Sequence, residues 1–421
     1  MKKTRLLKNK FNFFKLLAFF IAAHFLSCSA PKKLRENQFG ANEFYFQPLV
    51  NLIHHNNDSS KLLLEFNADQ LLYSRQSTHE NFKAQIEVEL YIKKNSNTYD
   101  TLRYSFSPPQ MQEPGVWRKE IPLAMAFGNY DLTVRLKDIN RRAQDEKTFA
   151  INKSEIPSTF DVHVTTNSSN TPVYNHYLTT GDTVHLDFPR FKNADYPPIE
   201  VFALAEIPSL PPPAFSNNSP VIPDSTSFSL TNLSFDGSRY HFIAENKSYL
   251  FRSKNSSQLY LYSNGEFPTT TALKDLIAPL RYITSKSEFE YIYNVRDPYS
   301  SFCNFWKDCG GSEEKAKELI SIFFRRVNTS NTYFSTTVPG WRTDRGMIYI
   351  IYGKPSRVEK VGYSERWIYG DENVPGSFSF LFRYKKDNLS DNVLILQRDA
   401  LYRNSWEVAV NSWRQGRVFR E

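Results

Sequence analysis

The sequence has 421 residues, with 52 Lys and Arg against 44 Asp and Glu, and a formal net charge of +8 at pH 7. Its 15 glycines exclude a collagen-like chain, and its 40% hydrophobic content, including 15% aromatic residues, excludes a wholly disordered one. Six of the basic residues and no acidic residue lie within residues 1–27, so the remaining chain is almost neutral. Bulk charge therefore does not indicate a nucleic-acid partner.

Residues 1–27 have the layout of an export signal. A basic start is followed by the apolar stretch Leu16–Leu26, which is shorter than the roughly 20 residues that a membrane-spanning helix needs. The segment from Phe25 to Ser29 (FLSCS) resembles a bacterial lipobox, which implies cleavage before Cys28 and lipidation of its thiol. A plain signal peptide with a coincidental cysteine is the alternative.

We therefore expect a lipoprotein signal peptide over residues 1–27 and a polar tether over residues 28–43. Several acyl chains anchor a protein stably, so the expected location is the cell envelope, with the membrane as a partner through the lipid. No acidic run follows Cys28, and such a run resembles the surface-export signal of Bacteroidetes lipoproteins. Its absence favours a periplasm-facing location, without indicating the inner or the outer membrane.

Residues 44–156 show the short alternating runs of an all-β domain. The predicted strands are Lys61–Phe66, Phe82–Ile92, Thr101–Phe106 and Tyr130–Lys137. Every second residue from Ile86 to Ile92 is apolar, which is typical of a half-buried antiparallel strand. Gly128–Val134 is similar to the late strand of an immunoglobulin-like sandwich, in which a tyrosine near the strand start, here Tyr130, holds the corner.

Residues 157–268 repeat this pattern more loosely and indicate a second β domain. Its predicted strands are Thr183–Phe188, Ile199–Leu204, Phe228–Leu233, Arg239–Ile243, Tyr249–Arg252 and Leu259–Tyr262. Leu210–Phe215 contains three consecutive prolines and is predicted to be a stiff, polyproline-like connection. The histidines His163, His176 and His185 share no metal-ligand spacing, so we expect no metal site and a structural role for His185.

Residues 269–421 change to a pattern of helices followed by strands, which indicates an α+β domain. Predicted helices cover Thr271–Tyr282, Lys286–Val295, Glu313–Phe334 and Ser405–Gln415, and predicted strands cover Met347–Tyr352, Glu365–Tyr369, Ser377–Tyr384 and Asn392–Arg398. Ser312 is placed to cap the third helix, whose apolar stripe recurs at helical spacing. The fold class is therefore mixed: two N-terminal all-β, immunoglobulin-like sandwich domains followed by a C-terminal α+β domain.

Cys303 and Cys309 are the cysteines that follow Cys28, at C-x5-C spacing. In an oxidising compartment a pair this close is a candidate for a small disulfide loop, and two free buried thiols are the alternative. Two thiols supply only half of a zinc site, and no histidine follows His241, so a metal centre is not expected. No other pattern indicates a cofactor.

The most specific feature of the sequence is a motif in three parts, Gly340-Trp341-Arg342-Thr343-Asp344-Arg345-Gly346, Tyr352-Gly353-Lys354-Pro355 and Trp367-Ile368-Tyr369. Phe302–Trp306 and Arg326-Val327 precede these parts. Over residues 300–400 the chain thereby resembles the GWxTD-domain proteins of Bacteroidetes and related bacteria. The resemblance implies little about activity, because the family is known as a domain without an established reaction. Lys307–Gly311 departs from the family's usual sequence, so no role is carried over for that segment.

Turn chemistry gives a structural interpretation of the motif. The side chains of Thr343 and Asp344 can bond nearby backbone N–H groups, and Gly346 can close the turn. Gly340 relieves crowding at a tight entry, and Trp341 is expected to plug the interface between sheet and helices. On this interpretation the motif is a self-bonded turn that starts a central strand.

A functional interpretation of the motif stays open beside the structural one. Arg342 and Arg345 offer forked donors for carboxylates, with Asp344 as a nearby partner. These three side chains would then meet Glu359 or Glu365, from the following segment, in a surface groove.

These features favour a cell-envelope binding or scaffold module, in which two β-sandwich arms on a lipid tether present the C-terminal domain to an envelope protein or glycan. The alternative is a glycosidase-like envelope hydrolase that uses Asp344 with Glu359 or Glu365 as paired carboxylates about 5–10 Å apart. Outside that alternative no catalytic residue is assigned, because the sequence has no G-x-S-x-G, P-loop, H-E-x-x-H or Rossmann pattern. A mild basic bias over residues 281–421 points toward an acidic partner or glycan.

Overall fold

The computed structural model describes residues 48–419 with several gaps. The gaps are residues 69–70, 95–97, 111–114, 168–171, 175–176, 192–197, 254–255, 264–269, 271, 362–363, 372–375, 387–388 and 391. The expected signal peptide, Cys28 and the tether lie outside the described residues, as does His176. Among the helices of the described residues, none combines the length and the apolar character that a membrane span requires.

The first β domain is a sandwich of two antiparallel sheets. Its strands are β1 (Leu49–His54), β2 (Ser59–Asn67), β3 (Ile86–Lys94), β4 (Thr98–Phe106), β5 (Val116–Ala124), β6 (Gly128–Asp138) and β7 (Ala143–Lys153). They pair in the orders β1-β2-β5 and β4-β3-β6-β7. In constant-type immunoglobulin domains the fourth strand joins the sheet of the first two, whereas here β4 pairs with β3.

The sequence pattern of β3 and β6 explains the core of this sandwich. Ile86, Val88 and Leu90 are fully buried between the sheets, as their alternation predicts, while Ile92 is only half-buried at the strand end. The hydroxyl of Tyr130 donates to the carbonyl of Ala126 at 2.9 Å. This bond fixes the corner before β6, so the expectation of a tyrosine corner is confirmed.

The second β domain also consists of two sheets. Its strands are β8 (His163–Thr166), β9 (Tyr177–Thr179), β10 (Thr183–Asp187), β11 (Glu200–Leu204), β12 (Phe228–Leu230), β13 (Ser234–Phe235), β14 (Tyr240–Ile243), β15 (Tyr249–Ser253) and β16 (Ser256–Ser263). They pair in the orders β13-β14-β10-β8 and β12-β11-β15-β16-β9, and only the β16–β9 pair among these described strands is parallel. The sheets enclose a separate apolar core.

A proline-rich segment leaves this domain between β11 and β12. Residues 207–223 contain six prolines and no helix or strand, which fits an extended, polyproline-like path. We call residues 207–223 the strap. The strap contributes Leu210, Ala214 and Phe215 to the apolar core of the C-terminal domain, so it connects the second and third domains.

The C-terminal domain packs helices against one face of an antiparallel sheet. Its helices are α1 (Leu273–Ile277), α2 (Lys286–Asn294), α3 (Pro298–Gly310), α4 (Glu313–Phe334), α5 (Asp344–Tyr352) and α6 (Tyr402–Arg414). Its strands β17 (Arg357–Val361), β18 (Ser364–Tyr369), β19 (Phe378–Tyr384) and β20 (Leu394–Leu396) pair in sequence order. The mixed fold class, with β-rich N-terminal domains and a C-terminal domain of helices and strands, is confirmed.

Two elements differ from the predicted strands and helices. The predicted strand Met347–Tyr352 is wrong, because these residues belong to helix α5. All nine residues of α5 are buried, so the run has no polar face, and periodicity alone cannot distinguish a short buried helix from a buried strand. The predicted helix Thr271–Tyr282 is shorter, because α1 ends at Ile277 and Ala278–Tyr282, with Pro279 near its start, is a 3₁₀ turn.

The predicted disulfide is also wrong, because Cys303 and Cys309 are both free thiols on helix α3. Helix α3 is not among the helices that the sequence predicts, and Asp297 caps its N-terminus. Six residues along a helix separate the two Cα atoms by about 9 Å of rise, beyond the roughly 7 Å that a disulfide can bridge. Burial raises the pKa of the Cys309 thiol to about 11, which disfavours the nucleophilic thiolate form.

Candidate functional site

The first part of the motif starts helix α5. Thr343 is the N-cap residue: its Oγ1 accepts from the Gly346 N–H at 3.1 Å and donates to the Gly340 carbonyl at 2.7 Å. Asp344 occupies the first turn, where a negative charge is favourable. The self-bonded turn is therefore present as the residues predict, but it begins a buried helix rather than a strand.

The two glycines of the motif allow close backbone approaches. A Cβ on Gly340 would lie 1.8 Å from the carbonyl oxygen of Ser330 in α4. A Cβ on Gly346 would lie 2.0 Å from the carbonyl oxygen of Gly340. Since both obstacles are backbone atoms, neither contact can be relieved by a side-chain rotation. The glycines therefore bring α4, the 3₁₀ turn Gly340–Arg342 and α5 into direct contact.

Trp341 lies buried among the helices. Only 5% of its surface is exposed, and its backbone N–H donates to Oδ1 of Asn331 in α4 at 3.2 Å. The hydroxyl of Tyr282 donates to the Trp341 carbonyl at 2.8 Å, and the two rings meet edge to face at 6.2 Å. Trp341 thus ties the turn before α5 to α4 and to the 3₁₀ turn after α1, a purely structural position.

Asp344 forms a buried ion pair with Arg398, which follows β20. Its Oδ1 accepts from Nη2 of Arg398 at 2.5 Å, its Oδ2 accepts from Nη1 at 3.0 Å, and the Leu396 N–H adds a bond of 2.8 Å to Oδ2. The side chains are 1% and 6% exposed. Burial raises the pKa of Asp344, and the Arg398 guanidinium opposes that shift. The expected pairing of Asp344 with Arg342 or Arg345 is therefore wrong.

Arg345 contacts the sheet and the loop before β20. Its guanidinium lies 3.6 Å from Glu365 on β18 and 4.9 Å from the ring centroid of Phe334. It also donates to the backbone carbonyl of Asn392 at 2.7 Å and to that residue's side-chain oxygen. Arg345 is 3% exposed, so it joins α5, the sheet and the loop before β20 inside the domain.

The strap is held by the motif. Nη2 of Arg342 donates to the carbonyl of Pro208 at 2.5 Å, and Nη2 of Arg398 donates to the carbonyl of Pro212 at 2.9 Å. A polyproline-like segment forms no internal hydrogen bonds, so its carbonyls are available to such donors. Because Asp344 orients Arg398, three charged residues around the start of α5 determine where the strap lies.

Apolar and aromatic contacts complete the attachment of the strap. Ala214 is fully buried, and its carbonyl accepts from the Asp399 N–H at 3.2 Å. The ring of Phe215 meets Trp406 of α6 edge to face at 6.3 Å, with the Arg403 guanidinium 4.3 Å from the Phe215 centroid. Aromatic and arginine side chains therefore bind the strap. Grooves lined by aromatic residues bind proline-rich ligands in a similar way, but here the proline-rich segment belongs to the same chain.

The two glutamates of the hydrolase alternative lie on opposite faces of the sheet. Successive residues of a strand point to opposite faces, and β17 pairs Glu359 with Arg366 and Lys360 with Glu365. Glu365 thus shares the inner face with buried Trp367, whose Nε1 donates to it at 3.2 Å. Glu359 lies on the outer, exposed face, where it also pairs with a neighbouring arginine on β17. The sheet separates it from the helices that hold the motif.

The later parts of the motif build the core around the end of α5. Tyr352 and Trp367 are fully buried, and Tyr369 donates its hydroxyl to the carbonyl of Gly353 at 2.9 Å. Gly353 has a positive φ of 79°, which allows the chain to leave the helix, and Pro355 is buried just beyond it. These five residues join α5 to β18 and play a packing role.

Sequence reasoning missed the partners that complete the site. Arg398 and Asn392 lie 54 and 47 residues from the motif residues that they contact, and nothing local in the sequence marks them. Arg326, noted only as part of the resemblance, donates to the carbonyls of Ile350 and Ile351 at the end of α5. Its role follows from the unpaired carbonyls at a buried helix C-terminus.

No metal centre is formed by the described residues, in which no group of three or more His, Cys, Asp or Glu side chains could hold an ion. His185 lies in β10, where its Nε2 is 2.6 Å from Oδ1 of Asn167 and its ring is 6.2 Å from that of His241. His163 is half-buried at the start of β8, and burial lowers its pKa to about 4.

Comparison with protein families finds the model described as GWxTD domain over residues 244–415. The match therefore begins within the second β domain, before β15, and ends at Gln415, one residue after α6. No curated protein matches the chain.

Solved structures share only a small part of the chain. A calcium-binding mutant of Bacteroides uniformis β-glucuronidase 2 is 13% identical over 25% of this chain and 13% of its own, with a TM-score of 0.16. A protein assigned as a β-galactosidase from Bacteroides fragilis is 11% identical over 34% of this chain and 18% of its own, with a TM-score of 0.17. The chain thus spans less than a fifth of either structure, and such scores carry no functional inference.

Proposed function

We propose that this chain, a GWxTD domain-containing protein, acts as a lipid-anchored binding and scaffold module of the cell envelope. In this proposal the motif is a clamp: it seats the strap and so fixes the second β domain to the GWxTD domain. The two β domains and the GWxTD domain then form one extended platform, which presents its surface to an envelope protein or glycan.

One observation carries the proposal: the motif's charged side chains are used inside the molecule. Asp344 is bound by Arg398, Arg345 by Asn392 and Glu365, and Arg342 reaches the strap. Buried ion pairs are costly to form, and we infer that this chain retains the Asp344–Arg398 pair because it specifies one arrangement of the chain. A clamp between domains is such an arrangement.

The hydrolase alternative receives less support from the same geometry. Glycoside hydrolysis needs two carboxyl groups about 5–10 Å apart on either side of the scissile bond. Asp344 is occupied by Arg398, and Glu359 lies on the outer face of the sheet. The sheet therefore stands between Asp344 and Glu359. Glu365 lies on the inner face, where Arg345 and the indole N–H of Trp367 already bind its carboxylate.

The sequence of residues 1–27 supports the proposed location in the cell envelope. The short apolar stretch and the lipobox-like sequence around Cys28 favour lipidation of that thiol. Replacing Cys28 with Ala is expected to move the protein from the membrane fraction to the soluble fraction. Unchanged fractionation of the Cys28→Ala chain would count against a lipid anchor and leave the clamp untouched.

The clamp itself is tested by opening it. Arg342→Gln removes the guanidinium that binds Pro208, and we expect chymotrypsin to cut the full chain after Phe215 several-fold faster than in the parent. Arg366→Gln is the matched control, because Arg366 lies on the exposed face of the sheet and pairs with Glu359. Equal cleavage of both variants and the parent would contradict the clamp.

The partner is sought by co-purification from the native envelope. Residues 281–421 carry 22 basic against 17 acidic residues, and Arg357, Arg366 and Arg383 are exposed on the outer face of the sheet, which favours an acidic protein or glycan. We expect one partner to be retained by the parent chain and lost from Arg342→Gln, because an opened clamp disorders the platform. Retention of the same set by both chains would contradict a scaffold role for the clamp.

A further inference from the structure

A groove of about 550 Å³ lies between the strap and the helices of the GWxTD domain. We call it the strap groove. It is lined by Leu210, Pro211, Pro212, Pro213, Arg281, Tyr282, Thr284, Lys286, Phe289, Glu290, Met347, Trp406 and Val410. Its volume falls within the range of about 300–1,000 Å³ that small-molecule sites occupy, and most of its lining is apolar.

The motif shapes both walls of the strap groove. On one side, Arg398 holds the carbonyl of Pro212 and thereby positions the proline wall. On the other side, Tyr282 is fixed by its hydroxyl bond to the carbonyl of Trp341. Met347, one of the lining residues, belongs to α5 itself. The same contacts that clamp the strap therefore also set the width of the groove.

The lining suits a hydrocarbon chain better than a peptide. Pro211, Pro212 and Pro213 have no backbone N–H, and the carbonyl of Pro212 is already bound by Arg398. Thr284 donates its hydroxyl to the carbonyl of Leu280. A peptide backbone placed against this wall would leave polar groups unpaired, which is costly in an apolar groove, whereas an alkyl chain has no such groups.

The charges of the groove favour an anionic end on that chain. Lys286 lies 3.8 Å from Glu290, so these two charges balance each other. The guanidinium of Arg281 donates to the carbonyl of Thr284 at 2.9 Å, and no carboxylate of the described residues pairs with it. An arginine in this state presents forked donors that match a carboxylate.

We propose that the strap groove binds a fatty-acyl carboxylate, with the alkyl chain between the proline wall and α6 and the carboxylate on Arg281. The inference rests on the proposed clamp, because the strap is one wall of the groove. It assigns the GWxTD motif a second role, since Arg398 becomes a positioning residue for a ligand that it does not touch, and Trp341 holds Tyr282, which lines the groove.

The test is calorimetric titration of the purified full chain with sodium laurate below its micelle concentration. We expect one saturable site on the parent chain. Val410→Trp fills the groove and is expected to weaken laurate binding about ten-fold or more. Val408→Trp is the matched control on the same helix, because Val408 is 51% exposed and does not line the groove, and its affinity is expected to stay within about two-fold.

The carboxylate is tested separately with Arg281→Gln and with dodecanol, which has the same alkyl chain and no charge. We expect Arg281→Gln to weaken laurate about ten-fold and to leave dodecanol unchanged. Equal losses for both compounds, or equal affinity of the parent chain for both, would overturn the assignment of the anionic end.

Failure of the groove and failure of the clamp give different results. If laurate shows no saturable binding while chymotrypsin cuts slowly at Phe215, the strap is seated and the groove proposal alone is overturned. Binding that Val410→Trp leaves unchanged also overturns it. If laurate binds the parent chain and Val410→Trp abolishes binding, the groove is supported whatever partner the envelope supplies.

Discussion

Two buried arginine–aspartate pairs join the three domains of this chain, and their surroundings differ. In the β joint, between the two β domains, Arg190 binds Asp161 at 2.6 Å, and in the strap joint Arg398 binds Asp344 at 2.5 Å. Arg190 also donates to the backbone carbonyl of Ser154 at 2.6 Å, and Arg398 donates to that of Pro212 at 2.9 Å. Both carbonyls lie outside the sheets of the arginine's own domain. The chain thus uses one chemical unit twice to fix the relative position of its domains.

The β joint buries a histidine and a lysine, whereas the described ionisable groups of the strap joint are arginines, Asp344 and Tyr282. His54 is fully buried with its Nε2 unpaired, and burial lowers its pKa from 6.5 to about 4. Lys153 is 1% exposed and donates only to neutral oxygens of Ser59, Ser60 and Met125, so burial lowers its pKa to about 8. The strap joint relies on arginines, which stay charged. From this difference we expect the stability of the β joint to depend on pH through His54 and Lys153.

The largest expected effect comes from removing either arginine. Arg398→Met leaves Asp344 buried without its partner, and Arg190→Met does the same to Asp161, so each should lower the free energy of unfolding by about 3–5 kcal/mol. Urea unfolding followed by circular dichroism measures both. Arg383→Met, at an exposed position bonded to Gln397, is the control and should change stability by less than about 0.5 kcal/mol.

The pair of variants also tests whether the joints are equivalent. Similar decreases in the free energy of unfolding would show that the buried arginine–aspartate pair contributes equally to the β joint and the strap joint. A loss below about 1 kcal/mol for Arg398→Met would mean that Asp344 tolerates its buried site alone, which is incompatible with the clamp as described.

The sequence was informative where a pattern is local. The alternation in β3, the tyrosine corner at Tyr130 and the cap at Ser312 all depend on residues a few positions apart, and each is found as expected. The sequence predicts a strand where helix α5 lies, because α5 is buried on every face and its hydrophobicity therefore shows no period of 3.6 residues. Thr343, three residues before Gly346, was the available sign of a helix start.

The candidate site was less predictable because its partners come from distant segments. Asp344 is the residue that both interpretations singled out, but its partner Arg398 is 54 residues away and the strap carbonyl at Pro212 is 186 residues from Arg398. Nothing in residue spacing specifies which of many arginines reaches a buried carboxylate. Only the folded arrangement of helices and sheet decides that choice.

The second expected effect is acid sensitivity of the β joint. The folded-state pKa of His54 is about 4 against 6.5 for an ordinary histidine, so between these values the unfolded chain binds more protons. Stability should therefore fall as the pH drops from 6.5 to 4, by about 3 kcal/mol from this residue. His54→Phe should flatten that part of the stability–pH curve.

His79→Phe is the control for the acid effect, because His79 is exposed in the same domain. Unfolding midpoints in urea, measured at half-unit steps of pH, give the curve for each chain. An unchanged slope in His54→Phe would show that His54 is not the group that titrates, and attention would move to His163, whose pKa burial also lowers to about 4.

The smallest expected effect is on the alkaline side and comes from Lys153. Its folded-state pKa of about 8 lies below the 10.5 of an ordinary lysine, so from pH 8 upward the unfolded chain binds more protons and stability should rise with pH. By pH 10 the gain should be about 2 kcal/mol, and Lys153→Met should abolish it, whereas Lys119→Met, at an exposed position, should retain it. A flat curve in the parent chain would show that Lys153 keeps its charge in the joint. Both joints would then be insensitive to alkali, and the contrast between them would rest on His54 alone.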